Sequence, residues 1–237
     1  MCSTRSCKHL LLQLKCDGLT KYEMEMAMKS EIQKDFDKEA AQWDANPGRV
    51  QMANEVSAAI IREVPLTTGM QVMDFGCGTG LITLKLQPFV KTITGTDSSQ
   101  GMLAALQQKI GQQSLDNVFT RHVDFATDSA ASYDLIVSSM TLHHVPDTLA
   151  LFKAWFNQLR AGGQVCFADL DTEDGSFHSD KTGVFHFGFD REKLQQQLLD
   201  AGFDKVRATT ATTINKEVKG QGAVQFPVFL ITATRPE

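Results

Sequence analysis

Cysteine is scarce in this sequence, and its distribution argues against a fold stabilised by disulfides. The 237 residues contain five cysteines, an odd number, and three of them lie within the first sixteen residues. A disulfide framework would need paired cysteines spread through a small secreted domain. The spacings between Cys2, Cys7 and Cys16 match no common zinc pattern, so we expect no metal site there.

Long apolar runs and an excess of basic charge are also missing. The cluster Leu10–Leu12 is followed by Gln13 and Lys15, and it falls far short of the roughly 20 apolar residues that span a membrane. It also lacks the cleavage site of a secretory signal, so we predict a cytoplasmic location and no membrane span. The formal net charge of -5 disfavours nucleic acid as a partner, because a broad nucleic-acid footprint is usually basic. A local basic patch on the surface is nevertheless compatible with this negative net charge.

The length accommodates one α/β domain preceded by a leader. Residues 1–28 show no sustained period and predict a poorly ordered leader, whereas residues 29–237 predict a single domain. Its first part, residues 29–65, predicts a helical cap in which Asn46-Pro47 marks the start of a second helix. The apolar residues that recur at helical spacing before that point are Ile32, Phe36, Ala40 and Trp43.

Short apolar strands alternate with amphipathic helices in the rest of the chain. We expect strands near residues 71–75, 92–96, 118–123, 133–138, 164–169, 204–209 and 226–234. Ser98 or Ser99 can cap the helix that follows the second strand, and Asp190 can cap the last helix. The alternation predicts a mostly parallel sheet with helices on both faces, and ligands of such sheets bind beyond the carboxyl ends of the strands.

A glycine-rich turn follows the first predicted strand. It lies in the segment Val72-Met73-Asp74-Phe75-Gly76-Cys77-Gly78-Thr79-Gly80. Glycine permits positive φ and close approach of a ligand, and the next helix offers free N–H groups to a polar or anionic group. The dinucleotide fingerprint requires glycine at the sixth position, where this chain has Leu81, which disfavours a nicotinamide cofactor. The alternative is a glycine-rich turn that binds no ligand.

An acid, Asp97, closes the second predicted strand, 21 residues after Gly76. At this position of nucleotide-binding folds, a carboxylate accepts hydrogen bonds from the ribose hydroxyls. The alternative is an acid that only stabilises the N-terminus of the following helix. Together with the glycine turn, this acid favours a nucleoside ligand without a pyrophosphate, such as S-adenosylmethionine.

These motifs resemble the class I S-adenosylmethionine-dependent methyltransferases, in particular the ubiquinone- and menaquinone-biosynthesis-like group that acts on small molecules. Besides the glycine turn, the resemblance rests on Gly95-Thr96-Asp97-Ser98-Ser99, Met102-Leu103, Asp124-Phe125, Tyr133–Ser138, Leu142-His143-His144-Val145 and Leu159–Gly163. It implies a Rossmann-like three-layer α/β/α sandwich with a seven-stranded, mostly parallel sheet whose last strand is antiparallel. It also implies S-adenosylmethionine as the cofactor and S-adenosylhomocysteine as the product.

The resemblance also implies roles for particular residues. Asp74 would orient the methionine amino group, and Asp97 would bind the ribose hydroxyls. Ser98 and Met102 would flank the adenine. Asp124 would accept a hydrogen bond from the adenine amino group, beside Phe125. The turn residues implied beneath the methionine and ribose are Gly76, Cys77, Gly78 and Gly80, and those implied near the sulfonium are Ser139 and Met140.

Histidines provide the candidate catalytic bases. His143 and His144 follow the fourth predicted strand, and a histidine with a near-neutral pKa can deprotonate a hydroxyl, thiol or activated carbon. Alternatively, one of them hydrogen-bonds to the backbone and shapes the pocket. The candidate substrate-binding residues are Trp43, His143, His178 and His186. For Trp43, a place in the core is an equal alternative.

The loop of residues 170–190 mixes acids with aromatic residues and predicts an acceptor-side lid. A solvated acidic loop and a divalent metal site are the alternatives, and we predict no metal. Ser138-Ser139-Met140-Thr141 replaces the Asn/Asp-Pro-Pro-aromatic tetrad of amino-methylating nucleic-acid enzymes, and no Pro-Cys pair of the cytosine-C5 type occurs there. Both differences favour a small-molecule acceptor.

Two other classes of protein compete with the methyltransferase interpretation. A non-catalytic S-adenosylmethionine binder or a regulatory partner subunit would carry the same cofactor residues. A nicotinamide-dependent oxidoreductase is disfavoured by Leu81. The sequence makes no prediction of the oligomeric state.

Overall fold

The computed structural model describes residues 35–123 and 132–237. Predictions for the leader, for Asp124 and for Phe125 therefore lie outside the described residues. The strands are β1 (Gln71–Phe75), β2 (Thr92–Asp97), β3 (Val118–His122), β4 (Tyr133–Ser139), β5 (Leu159–Leu170), β6 (Asp204–Val218) and β7 (Gly222–Thr234). The α-helices are α1 (Pro47–Glu63), α2 (Thr83–Leu86), α3 (Gln100–Gln113), α4 (Thr148–Gln158) and α5 (Arg191–Asp200). Short 3-10 helices cover Ala40–Ala45, Gln87–Phe89 and Leu142–His144.

The strands form one sheet in the order β3-β2-β1-β4-β5-β7-β6. Strands β1 to β5 pair in parallel, and β7 runs antiparallel to both β5 and β6. The predicted seven-stranded sheet with an antiparallel last strand is thereby confirmed. The winding reverses between β1 and β4, because β2 and β3 lie on one side of β1 and β4 lies on the other. In such sheets the ligand crevice lies at this reversal, outside the carboxyl ends of the strands.

Alternate residues of the strands face two separate apolar cores. Leu135 and Val137 of β4 pack into a core with α1 and α2, whereas Ile136 between them packs with α4 and α5. Fully buried helix residues complete the two cores: Val56, Ile60 and Leu86 in the first, and Phe152, Trp155 and Leu198 in the second. Helices therefore cover both faces of the sheet, which confirms the predicted three-layer sandwich.

Side-chain oxygens cap three of the helices where the sequence predicts a cap. Asn46 accepts from the Gly48 N–H at 2.9 Å, and Pro47 is the first residue of α1. Ser99 caps α3, and Asp190 caps α5. These oxygens satisfy backbone N–H groups that have no partner inside the helix. Within the described ranges, none of the helices has the length and apolar character needed to cross a membrane.

The segment before α1 differs from the prediction. Instead of one helix carrying Phe36, Ala40 and Trp43, the structure has a turn at residues 36–39 and the 3-10 helix Ala40–Ala45. Carboxylates of this segment bond to distant parts of the chain, and such tertiary contacts readily override a weak helical preference.

The final hairpin is longer than its apolar pattern predicts. Strand β6 continues to Val218, and β7 begins at Gly222. One face of the extension packs on the first core through Ile214 and Val224, while the other residues are largely polar and exposed. Lys216 of the extension donates to the Phe177 carbonyl, so the extension also supports the loop after β5.

We predict that Phe152→Ala lowers the free energy of unfolding by about 3–5 kcal/mol, because it leaves a cavity in a closely packed core. The ring of Phe152 is fully buried. The matched control is Phe119→Ala, since Phe119 is 51% exposed, and its expected loss is below about 1 kcal/mol. Urea unfolding measures both, and similar losses in the two variants would contradict the assignment of this core.

Candidate functional site

The glycine turn after β1 leaves an opening at the carboxyl edge of the sheet. Gly76, Gly78 and Gly80 all have positive φ, at 69°, 53° and 84°. A side chain at Gly76 would overlap Thr141, and one at Gly80 would overlap Leu106, so these two glycines permit close packing. At Gly78 the nearest atom to an added Cβ is the Met102 sulfur, 4.0 Å away. The middle glycine therefore lines a space that a ligand can approach.

Asp97 joins this turn to the end of β2. Its Oδ2 accepts from the Gly78 N–H at 2.8 Å, and its Oδ1 accepts from the Ser99 N–H at 2.8 Å. Burial raises the pKa of Asp97, although the backbone hydrogen bonds oppose this shift. Each carboxylate oxygen can accept a further hydrogen bond, and the side chain is only half-buried. The predicted ribose-binding acid thus lies beside the open glycine.

Asp74 and Cys77 are buried behind the turn. Asp74 Oδ2 accepts from the Thr83 hydroxyl at 2.6 Å. Burial raises the pKa of Asp74 to about 7, with the Thr83 hydrogen bond lowering it and the Asp97 charge raising it. Burial and the nearby Asp74 and Asp97 also raise the pKa of the Cys77 thiol well above its usual range. Cys77 is therefore a neutral thiol, and Asp74 is poised to change charge near neutral pH.

The adenine-side residues of the prediction lie around the same crevice. Met102 is buried at the start of α3, with its sulfur toward Gly78. Ser98 is half-buried, and its carbonyl accepts from the His122 ring at 3.0 Å. This contact links the end of β3 to the segment that carries Asp97.

Ser139 is the last residue of the neighbouring strand β4, and Met140 follows it. Met140 has a φ of 54°, which is uncommon for a residue other than glycine. Its backbone N–H donates to the Ala168 carbonyl oxygen at 2.9 Å. The Ser139 hydroxyl is buried and has no hydrogen-bond partner among the described residues. The backbone thus bends sharply where β4 leaves the sheet, next to the opening at the glycine turn.

His143 forms a buried pair with Asp169 at the end of β5. Its Nδ1 lies 2.8 Å from Asp169 Oδ1, and its backbone N–H donates to Oδ2 at 3.2 Å. Burial alone would raise the pKa of Asp169, but the charge and hydrogen bond of His143 and the Leu170 N–H outweigh it and lower the pKa. An ionised carboxylate only accepts, so Nδ1 carries a hydrogen atom, and in the neutral ring Nε2 is then the nitrogen with the available lone pair. Across residues 35–123 and 132–237, Nε2 has no hydrogen-bond partner.

His144 and His186 instead donate to backbone carbonyls. His144 Nδ1 lies 2.7 Å from the Gly183 oxygen, and His186 Nε2 lies 2.9 Å from the Val145 oxygen. A carbonyl oxygen only accepts hydrogen bonds, so His144 Nδ1 and His186 Nε2 each carry a hydrogen atom. These contacts fix the loop after β5 to the segment after β4.

His178 reaches the same place from the loop after β5. Its ring centroid lies 4.8 Å from that of His143 and 6.5 Å from that of His144. Its Nε2 is buried without a partner in the described part of the chain. Burial and the charges of His143 and His144 lower the pKa of His178 to about 4, so the ring is neutral at neutral pH. Three of the predicted histidines therefore meet at the end of β4.

Trp43 lies further from this cluster. Its ring packs edge-on against Phe36 at 5.9 Å, and the Arg49 guanidinium lies 3.7 Å above it. Phe36 in turn contacts His144 at 5.1 Å. Trp43 is thus linked to the histidines through Phe36, and it is half-exposed rather than part of the core.

Two acids before α1 hold this segment over the cofactor side, and sequence reasoning missed both. Asp37 accepts from the Ser99 hydroxyl and, at 2.7 Å, from the Gly101 N–H. Asp44 accepts from the Thr79 hydroxyl at 2.6 Å and pairs with Lys109. No spacing or motif marks these contacts, because each joins residues far apart in sequence. The described residues contain no group of three or more acids, histidines or cysteines that could hold a metal.

The chain matches the family model of the methyltransferase domain over residues 49–217, which is more than half of its length. It therefore belongs to that family. Together with the seven-stranded fold, the match confirms the resemblance to class I S-adenosylmethionine-dependent methyltransferases.

Two curated relatives illustrate the similarity. An uncharacterized methyltransferase of Schizosaccharomyces pombe is 31% identical over 51% of this chain and 48% of its own length. A ubiquinone biosynthesis O-methyltransferase of Coxiella burnetii is 27% identical over 60% of this chain and 62% of its own length. The matched part of the chain thus spans from about half to three-fifths of these relatives.

A similar solved structure is Haemonchus contortus phosphoethanolamine N-methyltransferase 2 in complex with phosphomonomethylethanolamine and S-adenosylhomocysteine. It has a TM-score of 0.66 and 17% identity, covering 78% of this chain and 53% of the solved one. At this identity the likeness establishes a shared fold.

We predict that Gly76→Ala destabilises the protein by about 1–3 kcal/mol more than Gly220→Ala, because its Cβ would overlap Thr141. Gly220 is the matched control: its φ is also positive, at 87°, and its Cβ would meet no atom within 4 Å. Backbone strain alone costs about 1–2 kcal/mol in either variant. Equal losses in urea unfolding would show that the turn does not pack as described.

Proposed function

We propose that this protein transfers the methyl group of S-adenosylmethionine to a small-molecule acceptor. The observation that carries the proposal is the open glycine turn beside Asp97, with the unpartnered Nε2 of His143 beyond the neighbouring strand β4. The loops after β1 and β2 suit an adenosyl group, and the segment after β4 suits an acceptor. Family membership supports the reaction type.

The residues around the glycine turn fit S-adenosylmethionine. We assign the ribose hydroxyls to Asp97, whose oxygens keep hydrogen-bonding capacity toward the crevice. Asp74 is assigned to the methionine amino group, directly or through water. The loop residues beneath the methionine and ribose are Gly76, Cys77, Gly78 and Gly80, and those flanking the adenine are Ser98 and Met102. The roles of Asp124 and Phe125 at the adenine stay predictions.

S-adenosylmethionine, when bound, supplies a methyl group that its sulfonium charge already activates. The protein therefore needs mainly to align the acceptor with the methyl group, and such positioning supplies roughly 7–11 kcal/mol of a barrier. Ser139 and Met140 are the residues we place nearest to the sulfonium. His143 Nε2 would accept a proton from the acceptor, and Asp169 would stabilise the resulting imidazolium.

His143 fits the role of base better than His144 or His186. The donating nitrogen of His143 has an ionised carboxylate as its partner, which can stabilise an imidazolium, whereas His144 Nδ1 and His186 Nε2 donate to neutral backbone carbonyls. Asp169 is a positioning residue in this account, because it acts through the His143 ring. The loop of residues 170–190 would then form the acceptor side of a single domain covering residues 29–237.

A small molecule is the acceptor class that the observations favour. The names of two similar proteins refer to small molecules: one name mentions ubiquinone biosynthesis, and the other mentions phosphoethanolamine. The acidic net charge of -5 and the absence of the nucleic-acid-type tetrad after β4 point the same way. A cytoplasmic location stays a prediction.

The direct test incubates the protein with S-adenosylmethionine labelled in its methyl group and a protein-free extract of small metabolites. We expect the label to move to a small molecule and S-adenosylhomocysteine to accumulate. Binding of S-adenosylmethionine without transfer to any fraction would favour the non-catalytic alternative. Transfer to added nucleic acid alone would contradict the acceptor class.

We predict that Asp97→Ala weakens S-adenosylhomocysteine binding by about 1.5–3 kcal/mol, the contribution of hydrogen bonds to a charged group. Isothermal titration measures the dissociation constant. Asp116→Ala removes the same charge at an exposed position and should leave it unchanged. An unaltered affinity in Asp97→Ala would remove that residue from the cofactor site.

We predict that His143→Asn lowers the turnover found in the labelling assay by about 10²–10⁴-fold, the usual contribution of a general base. Asparagine can still donate to Asp169, which avoids leaving a buried carboxylate unpaired. Affinity for S-adenosylhomocysteine should stay as in the wild type. Asp169→Asn should shift the pH profile of turnover, because it keeps an acceptor for Nδ1 but removes the charge. Full turnover in His143→Asn would mean that the reaction needs no base at this position.

A further inference from the structure

His178 of the histidine cluster is not used by the proposed mechanism. The ring packs on His143 with centroids 4.8 Å apart and on Phe177 with centroids 5.0 Å apart. Its Nε2 is buried and unpartnered. A buried polar atom without a partner costs stability, so an orphan atom beside a reactive group calls for an explanation.

Hydrogen bonds fix the backbone of the loop directly before His178. Glu173 Oε2 accepts from the Gly175 N–H at 2.6 Å and from the Phe177 N–H at 3.1 Å. Lys216 of β6 donates to the Phe177 carbonyl, and its ammonium lies 5.1 Å from the centre of the Phe177 ring. The residue before His178 is thus fixed from both sides, by its own loop and by the final hairpin.

The chemistry available at this nitrogen is one hydrogen bond to a neutral partner. Burial and the neighbouring histidines keep the pKa of His178 at about 4, so the ring stays uncharged while the enzyme works at neutral pH. A neutral imidazole nitrogen either donates or accepts one hydrogen bond. It therefore suits a hydroxyl or carbonyl oxygen of the acceptor, and it offers no charge to neutralise an ionic group.

We infer that His178 selects acceptors that carry a second hydrogen-bonding oxygen next to the hydroxyl that is methylated. This inference rests on the proposed function. The two imidazole centroids are 4.8 Å apart and tilted by 46°, so His143 and His178 can serve groups on neighbouring atoms of one molecule. Aromatic rings of Phe36 and Phe177 border the histidines and favour a planar acceptor.

The reaction is then an O-methylation in which His178 takes no proton. The acceptor oxygen forms a bond to the methyl carbon as the carbon–sulfur bond breaks, and the electron pair of that bond stays on sulfur as the sulfonium becomes a thioether. The hydroxyl proton passes to His143 Nε2 and leaves to solvent with the product. His178 holds the neighbouring oxygen throughout, which fixes the orientation of the reacting one.

The test compares catechol with phenol, which differ by one adjacent hydroxyl, on protein saturated with S-adenosylhomocysteine. We expect the wild type to bind catechol at least about tenfold more tightly, since a site built for a hydrogen bond discriminates against the analogue that lacks it. His178→Phe keeps an aromatic ring but no nitrogen and should reduce the preference to less than about threefold. His178→Gln, which restores a hydrogen-bonding group, should recover part of it.

His122→Phe is the matched control, because it removes an exposed imidazole at the end of β3, where it bonds to the Ser98 carbonyl. It should leave the ratio of the two affinities unchanged. Equal binding of catechol and phenol by the wild type, no binding of catechol, or a full preference in His178→Phe would overturn the inference. Failure of S-adenosylhomocysteine to bind would instead count against the proposed function, and the two failures are therefore distinguishable.

Discussion

The carboxylate of Asp97 links the two loops to which we assign the cofactor. One oxygen holds the Gly78 N–H of the turn after β1, and the other holds the Ser99 N–H at the start of α3. The open face at Gly78 depends on this link. Without it, a turn that contains three glycines could adopt many other backbone conformations. The segment before α1 adds a second layer through Asp37 and Asp44, which bind the same two loops.

The acceptor side follows from the winding of the sheet. Strands β1 and β4 are parallel neighbours, so the turn after β1 and the histidines after β4 lie at the same edge of the sheet. Asp169 stands at the end of the next strand, β5, where its carboxylate accepts hydrogen bonds from the Nδ1 and the backbone N–H of His143. Binding and proton acceptance are thus assigned to separate strand ends, which lets the acceptor site vary without disturbing the cofactor site.

Local patterns of the sequence predict much of the fold, and the structure brings the predicted cofactor residues Gly78, Asp97 and Met102 close together. Apolar runs locate the strands, and the sequence predicts caps at Asn46, at Asp190 and at either Ser98 or Ser99, of which the structure uses Ser99. The pairing of His143 with Asp169 could not be predicted, because the residues are 26 positions apart and no local pattern links them. The long hairpin was missed for a related reason: its extension is half-buried, so polar residues hide the strand.

The central claim is that the crevice beside Asp97 binds an adenosyl group without a pyrophosphate. The most direct measurement is a calorimetric titration of the purified protein with S-adenosylmethionine, S-adenosylhomocysteine and NADH in parallel. The account predicts saturable binding of the first two ligands at one site, each displacing the other, and no binding of NADH. Tight binding of NADH with no response to either adenosyl ligand would contradict it.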